Sequence, residues 1–461
     1  MKGWRGKPVC VIGLGCSGRA AVELLLDQGA AVTAIDDADT PELRELAEPL
    51  RQRGAECQLG KHGVLAAHFD LGVVSPGVPL THPQLAALRE RGIPVWSELE
   101  LGWRESDCLA IGITGTNGKT TTTELVTAIL SENQRRTIAA GNIGTPLCAV
   151  AGQTRELDML TLEVSSFQLE TIDAFRPNIA VLLNLAPDHL DRHGSMENYI
   201  RAKARLFENQ EPFDRAIIQW DAWRELRRLG IDVPSKVTTF SATEPEADLH
   251  LDRSLLISRV PGWTGPILDL DECQLDGLHN AENLLAAVLV GRAMKLTVKD
   301  MIPALRDFQA GPHRCELIAE QGGVKFFNDS KATNVHALCS ALRSMPATGE
   351  AKNIWLIAGG QDKALDFHAA GPDVSQRVKG AFLLGETREQ LRAAWSLFAP
   401  CNLVDNLIEA VAEAGRNAVP GDVVLLSPAC ASFDTFDSYQ HRGESFREAV
   451  VEWLAINGHG N

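Results

Sequence analysis

The chain has 461 residues, 45% of them hydrophobic and 23% charged, which is ordinary for a folded protein and long enough for more than one domain. Its net charge of −16 argues against a general affinity for nucleic acid or for anionic membranes, and leaves room only for local basic pockets. The 10 cysteines are scattered, with no Cys-x-x-Cys pair. That argues against a zinc site or a disulfide framework and fits a reducing, cytoplasmic setting. No apolar run reaches membrane-spanning length, and Val9–Leu14 is too short and too glycine-broken for a signal peptide.

In chain order, Pro8 to Gly18 is a hydrophobic strand running into Gly13-x-Gly15-x-x-Gly18. A helical pattern follows over Ala20 to Gln28, then a second strand, Ala31 to Ile35, ending at Asp36. This is a dinucleotide-type fingerprint with its acid near the expected distance. Alone it favours NAD or FAD. More generally it reads as a diphosphate held by a glycine turn at a helix N-terminus, with Asp36 available for a ribose or a base. Leu71 to Pro79 is a further strand leading into a Ser-Pro-Gly turn. A first domain is expected over residues 1–105.

The stretch Ala110-Ile-Gly-Ile-Thr-Gly-Thr-Asn-Gly-Lys-Thr-Thr-Thr-Thr123 reads as strand, glycine loop and helix, with the helix expected over Thr120 to Leu130. Gly115 and Gly118 turn backbone N–H groups inward. Lys119 reaches terminal phosphates, and the Thr120 or Thr121 hydroxyl faces a magnesium ion. The loop is a variant, because Ile113 stands where the common phosphate loop has its first glycine.

Three apolar strands then end in polar residues. They lead to Asn142 after Thr137–Ala140, to Glu163, and to the tip carrying Asn184, Asp188, His189 and Asp191. Strands alternating with helices imply a mostly parallel sheet whose ligands sit at the C-terminal strand ends, where the phosphate loop, Glu163 and His189 all fall. Met196 to Phe207 is helical, and a Lys there, such as Lys203, is by default a solvated surface group. Phe240 to Asp276 reads as short strands and turns. A helix opens near Gly277, and Asn280 and Asn283 share one of its faces, where their amides could read an adenine edge or cap the helix. The second domain is expected over 106–310. The third, over 311–461, repeats one design: strands end at Asn328-Asp-Ser-Lys-Ala-Thr-Asn334, at Gly360-Gln-Asp-Lys363 and at Ser427-Pro-Ala-Cys-Ala-Ser-Phe-Asp434. That makes a third open α/β sheet, Rossmann-like as in the first domain.

These motifs, together with Gly141-Asn-Ile-Gly144, Glu163-Val-Ser-Ser-Phe-Gln-Leu169, His279-Asn-Ala-Glu-Asn283 and Pro312-His-Arg314, resemble the Mur ligases of peptidoglycan synthesis, in that family's order and over nearly the whole chain. The resemblance implies domains for a UDP-substrate, ATP and an amino acid, and ATP-driven amide formation through an acyl phosphate. The motifs of the third domain imply D-glutamate as the acceptor amino acid and the resemblance implies UDP-N-acetylmuramoyl-L-alanine as the carboxylate joined to it, in a cytoplasmic monomer.

Carried over by motif, Gly115, Thr116, Asn117, Gly118, Lys119, Thr120 and Thr121 hold the ATP phosphates. Asn280 and Asn283 meet adenine, and Arg314 the phosphate or ribose side. Thr120, Glu163, His189 and a carbamylated Lys203 bind magnesium at two sites. The modification needs a neutral amine, which burial or neighbours such as Arg201 and Arg205 favour. Leu14, Gly15, Cys16, Ser17, Asp36, Ser75, Gly77 and Asn142 meet the UDP-substrate. Lys331, Thr333, Lys363, Ser432 and Phe433 meet D-glutamate. One departure stands out: Asp36-Asp-Ala-Asp39 occupies a segment where relatives often carry a basic residue for the nucleotide. Rival readings are another Mur ligase or a folylpolyglutamate synthase, an NAD-dependent oxidoreductase, and a non-catalytic nucleotide sensor.

Overall fold

The structure is a computed structural model that describes residues 3–275, 277–347, 349 and 351–457. Asp276, the end of the stretch read as short strands and turns, lies outside them. The strands, in chain order, form three sheets. The first contains β1 (Pro8–Ile12), β2 (Ala31–Asp36), β3 (Glu56–Leu59), β4 (Leu71–Val74) and β5 (Val95–Ser97), all parallel in the order β3-β2-β1-β4-β5. The order reverses beside β1, which makes a crevice at the C-terminal ends of β1 and β4. Val9 and Val11 face one buried layer with the helix Cys16–Asp27, while Cys10 and Ile12 face the other. Strands buried on both faces in this way read as continuous apolar runs rather than as an alternation.

The second sheet has nine strands in the order β14-β13-β12-β11-β10-β9-β6-β8-β7. Its parallel part is β6 (Leu109–Thr114), β7 (Thr137–Gly141), β8 (Met159–Glu163), β9 (Ile179–Leu182), β10 (Arg215–Gln219), β11 (Lys236–Ser241) and β12 (Leu249–Asp252). An antiparallel extension, β13 (Leu255–Ser258) and β14 (Gly265–Asp269), accounts for the short strands expected after Phe240. The helix Glu98–Arg104 leads from the first sheet to the second. Its fully buried Glu98 carboxylate accepts the Cys148 N–H at 2.6 Å, and desolvation pushes its pKa up to about 7.

The third sheet runs β15-β16-β20-β17-β18-β19. It comprises β15 (Glu316–Gln321), β16 (Val324–Asn328), β17 (Ile354–Gly359), β18 (Val378–Leu384), β19 (Cys401–Leu403) and β20 (Val423–Leu426). All pair in parallel except the edge strand β15. Helices cover both faces, with Leu338 and Trp395 buried on one and Val411 and Phe446 on the other. The expected α/β class, with a mostly parallel sheet in each of three parts of the chain, is therefore present. By compactness the chain divides into two units, one of 1–185, 197–269 and 282–306 and the other of 186–196, 270–281 and 307–461. The first two sheets fall in one unit and the third in the other.

Candidate active site

The helix after β6 begins at Lys119, one residue before its expected start, and runs to Glu132. Its N-cap, Gly118, has φ +83°, and a Cβ there would lie 2.3 Å from Asn283 Oδ1. Only glycine tolerates both the left-handed backbone and that approach. The loop is clamped from β9: Asn184 Oδ1 accepts the Asn117 N–H at 2.8 Å, its Nδ2 donates to the Asn117 carbonyl at 3.0 Å, and its own carbonyl accepts the Thr116 N–H. Asn283 is buried and its Oδ1 accepts the Thr122 hydroxyl at 3.1 Å, which ties the later helix Leu278–Ala293 to the loop helix.

Two lysines converge on one carbonyl. Lys119 Nζ donates to Gly115 O at 3.0 Å and to Thr116 O at 2.9 Å. Lys203 Nζ donates to the same Gly115 oxygen at 2.7 Å and lies 4.6 Å from the centre of the Tyr199 ring. Lys203 is only 2% exposed, so its helix, Met196–Ala204, turns it inward and not to solvent. Arg201 and Arg205 pair with Glu197 and Glu208, and Lys119 is a cation that shares the Gly115 oxygen with Lys203.

Glu163 ends β8 and is 1% exposed. Its Oε2 accepts the Thr120 hydroxyl at 2.6 Å and its Oε1 accepts Asn142 Nδ2 at 2.8 Å. Among the described residues no three His, Cys, Asp or Glu side chains form a metal cage. A carboxylate and a hydroxyl beside a phosphate cradle nonetheless fit magnesium, which takes few protein oxygens and completes its shell with phosphate and water.

In the other unit, His189 has φ +53° and its Nε2 lies 3.7 Å from Asp188 Oδ2. Asp188 is buried; it accepts Lys363 Nζ at 3.2 Å and Asn334 Nδ2 at 3.2 Å. The segments carrying Lys331 and Thr333, Lys363, and Ser432 and Phe433 follow the C-terminal ends of β16, β17 and β20, which are neighbours in the third sheet. Lys331 Nζ sits 4.0 Å from the centre of the Tyr439 ring, Ser432 is buried and Phe433 is 69% exposed. Asn280 is half-buried, and Arg314 Nη1 donates to the Pro312 carbonyl at 3.4 Å. Sequence reasoning missed Tyr439 and Arg442. Arg442 is 2% exposed and donates to Ser330 O and Oγ and to the Cys430 and Ala431 carbonyls, which holds two polar loops together. Its position in a long helix carried no glycine or motif signal.

In the first domain, Gly18 lets its helix approach the turn so closely that a Cβ would fall 1.8 Å from Gly13 O. Ser75 Oγ donates to Gly13 O at 2.7 Å, Leu14 N donates to Asp36 Oδ2 at 2.7 Å, and Cys16 Sγ lies 3.8 Å from the Gly144 carbonyl. Gly15, Ser17 and Gly77 lie in the same two turns. A phosphate loop, a buried carboxylate–hydroxyl pair and a glycine turn on a separate sheet are the parts of a nucleotide-dependent transferase or ligase with a second phosphate-bearing substrate.

Comparison with known proteins decides the family. The sequence matches the Mur ligase MurD-like N-terminal domain over 7–97, the Mur ligase middle domain over 113–291 and the Mur ligase glutamate ligase domain over 313–430. It is 42% identical to the UDP-N-acetylmuramoylalanine–D-glutamate ligase of Acidobacterium capsulatum, covering 97% of this chain and 96% of that protein. The chain belongs to the Mur ligase family. The ligase of the same name from Koribacter versatilis is also 42% identical, with 97% of each chain covered. Among solved structures, MurF of Thermotoga maritima in complex with ADP superposes with a TM-score of 0.61 at 17% identity, covering 99% of this chain and 96% of that one. The UDP-N-acetylmuramate–alanine ligase MurC of the same organism gives 0.60 at 17% identity, with 97% and 99% covered. At that identity the likeness concerns the fold.

The clamp by Asn184 yields a prediction for this Mur ligase. Asn184→Ala removes two hydrogen bonds to the loop backbone, together worth about 2 kcal/mol. The KM for ATP should rise at least about tenfold in a variant that stays folded with a modestly lowered thermal midpoint, read by titrating ATP in a steady-state phosphate-release assay.

Proposed function

We propose that this Mur ligase joins D-glutamate to UDP-N-acetylmuramoyl-L-alanine, with ATP cleaved to ADP and phosphate, in peptidoglycan precursor synthesis. The observation that carries the reading is the whole-length identity to D-glutamate-adding ligases, joined to a glycine loop that is held by Asn184 and leads into a helix opening at Lys119. The enzyme acts in the cytoplasm as a monomer, with domains at 1–105, 106–310 and 311–461 for the UDP-substrate, ATP and the amino acid.

A carboxylate does not react with an amine unaided, so the L-alanyl carboxylate oxygen first attacks the γ-phosphorus of ATP and ADP leaves. Phosphoryl transfer needs positioning and charge neutralisation more than covalent help. The N–H groups at the start of the helix Lys119–Glu132 and the Lys119 ammonium hold the phosphates, while Asn184 keeps the loop before it in register through the Thr116 and Asn117 backbone. Magnesium, held by Glu163 and Thr120, with His189 and a carbamylated Lys203 at a second position, supplies further positive charge when bound. Asn142 steadies Glu163 from the other side. Asn280, Asn283 and Arg314 face the adenosine. The D-glutamate amine, once deprotonated, attacks the acyl carbon and phosphate departs. Lys331, Lys363, Thr333, Ser432 and Phe433 hold the amino acid, the two ammonium groups meeting its carboxylates. Lys363 must then exchange or share its contact with Asp188.

The Lys203 carbamate rests on its burial and on the oxygen it shares with Lys119. A neutral amine there avoids two ammonium groups on one carbonyl, and carbamylation turns it into a hard oxygen ligand. Lys203→Ala should lose at least about a hundredfold in kcat and recover activity with added short carboxylates. Full activity of that variant at low magnesium contradicts the assignment.

The acceptor test is direct. Phosphate release from ATP should require both UDP-N-acetylmuramoyl-L-alanine and D-glutamate, and Lys119→Ala should abolish it in a folded protein. Turnover with L-lysine or diaminopimelate but not D-glutamate overturns the reading, and a substrate-dependent nicotinamide absorbance change would favour the oxidoreductase instead.

A further inference from the structure

In the third sheet β20 lies between β16 and β17. Neighbouring strands are about 4.8 Å apart, so the loops after β16 and β17, which carry Lys331 and Lys363, start about 10 Å apart. Beyond the strand ends the sheet ladder no longer fixes that distance, and bonds between the loops must.

On one side the join is backbone. Gln361 N donates to the Ala431 carbonyl at 3.0 Å, and Gly360 permits the approach, since a Cβ there would fall 2.2 Å from the same oxygen. On the other side, Ser427 Oγ donates to Asp329 Oδ2 at 2.8 Å and ties the roots of the two loops. Their outer parts are tied by Arg442. Its Nη1 donates to the Ala431 and Cys430 carbonyls at 3.2 and 3.1 Å, its Nη2 to the Ser330 carbonyl at 2.8 Å, and its Nε to Ser330 Oγ at 3.0 Å. Ser330 Oγ in turn donates to the Tyr439 carbonyl at 2.8 Å, in the helix Tyr439–Asn457 that carries Arg442. A continuous chain of bonds thus runs from Ser330, beside Lys331, through Arg442 and the Ala431 oxygen to Gln361, two residues before Lys363.

Arg442 is 2% exposed, and among the described residues no carboxylate pairs with it. Desolvation draws its pKa down to about 10, so the guanidinium is still charged at neutral pH. Burying a cation against neutral oxygens alone is costly. What it supplies is geometry, because its planar fork holds four oxygens in fixed directions, as a lysine cannot.

We propose that Arg442 is a positioning residue that fixes the spacing of Lys331 and Lys363, and through it selects D-glutamate over an acidic amino acid one methylene shorter. This rests on the reading that the two lysines meet the carboxylates of D-glutamate. Two cations held at one separation match one spacing of carboxylates. D-aspartate either leaves a carboxylate short of its lysine or draws its amine away from the acyl carbon, and a misplacement of about 1 Å is worth about a hundredfold in rate. Loops free to adjust would meet both acids, each more weakly.

The test is steady-state phosphate release at saturating ATP and UDP-N-acetylmuramoyl-L-alanine, with D-glutamate and with D-aspartate. Wild-type enzyme should favour D-glutamate at least about a hundredfold in kcat/KM. Arg442→Lys keeps the charge and loses the fork. It should raise the KM for D-glutamate at least about tenfold, leave the KM for ATP as in wild type, and narrow the D-glutamate preference at least about tenfold. Ser330→Ala removes one of the four bonds and should move KM and preference the same way by about threefold. A folded Arg442→Lys enzyme with the wild-type KM and preference overturns the proposal, as does a wild-type enzyme indifferent between the two acids. A variant that loses thermal stability and kcat for both acids while the preference stands also overturns it, since Arg442 would then only hold the fold. Where circular dichroism shows Arg442→Lys unfolded, Ser330→Ala decides, and unchanged kinetics in that variant overturn the proposal. Wild-type enzyme that turns over with neither acid overturns the D-glutamate reading itself.

Discussion

The catalytic architecture of the central sheet depends on the Gly115 carbonyl. One oxygen accepts Lys119 at 3.0 Å and Lys203 at 2.7 Å, so the phosphate loop and the helix Met196–Ala204 are fixed to each other through it. Two ammonium groups beside one another are unfavourable unless a shared anion or a change of protonation relieves them. In the proposed reaction ATP phosphates would relieve the first lysine and a carbamate the second. The same loop is held by Asn184 from β9 and by Asn283 through Thr122. The loop backbone thus stands preorganised, which is the condition for stabilising charge as it develops in the transition state.

The protein as a whole is acidic, at −16, yet it must gather ATP, a nucleotide diphosphate and a dicarboxylic amino acid. In the proposed reading this task falls to a small set of well-supported cations. Lys119, Lys203 and Lys331 each rest on a carbonyl or an aromatic face, and Lys363 rests on buried Asp188. Arg442 spends its guanidinium on four backbone and hydroxyl oxygens and serves as a brace for the loops beside it. Cations held in this way lose little side-chain freedom when an anion arrives.

Much of this was legible in the sequence because the relevant signals are local. Glycines at 13, 15, 18, 115 and 118 announce turns that a Cβ would block, and Glu163 is an acid ending an apolar strand. The three α/β sheets follow from strands that are apolar throughout and alternate with helices. What was not legible depends on non-local packing. Lys203 reads as a surface residue until the fold shows which helix face is buried. A neighbour that shares an oxygen with it is Lys119, 84 positions earlier. Tyr439 lies in a helix more than a hundred residues beyond Lys331, and nothing local marks it. Asp36 carries the sequence signal for a sugar or base contact, and that its carboxylate also accepts the Leu14 and Ala38 N–H groups of the turn requires coordinates.

The central claim is that this fold activates a carboxylate by phosphorylating it. The most direct measurement uses UDP-N-acetylmuramoyl-L-alanine labelled with oxygen-18 in the L-alanyl carboxylate, turned over with ATP and D-glutamate. An acyl phosphate transfers one labelled oxygen to the released inorganic phosphate, so mass spectrometry should find phosphate carrying a single oxygen-18. Phosphate free of label, with amide product formed in equal amount, would contradict the account.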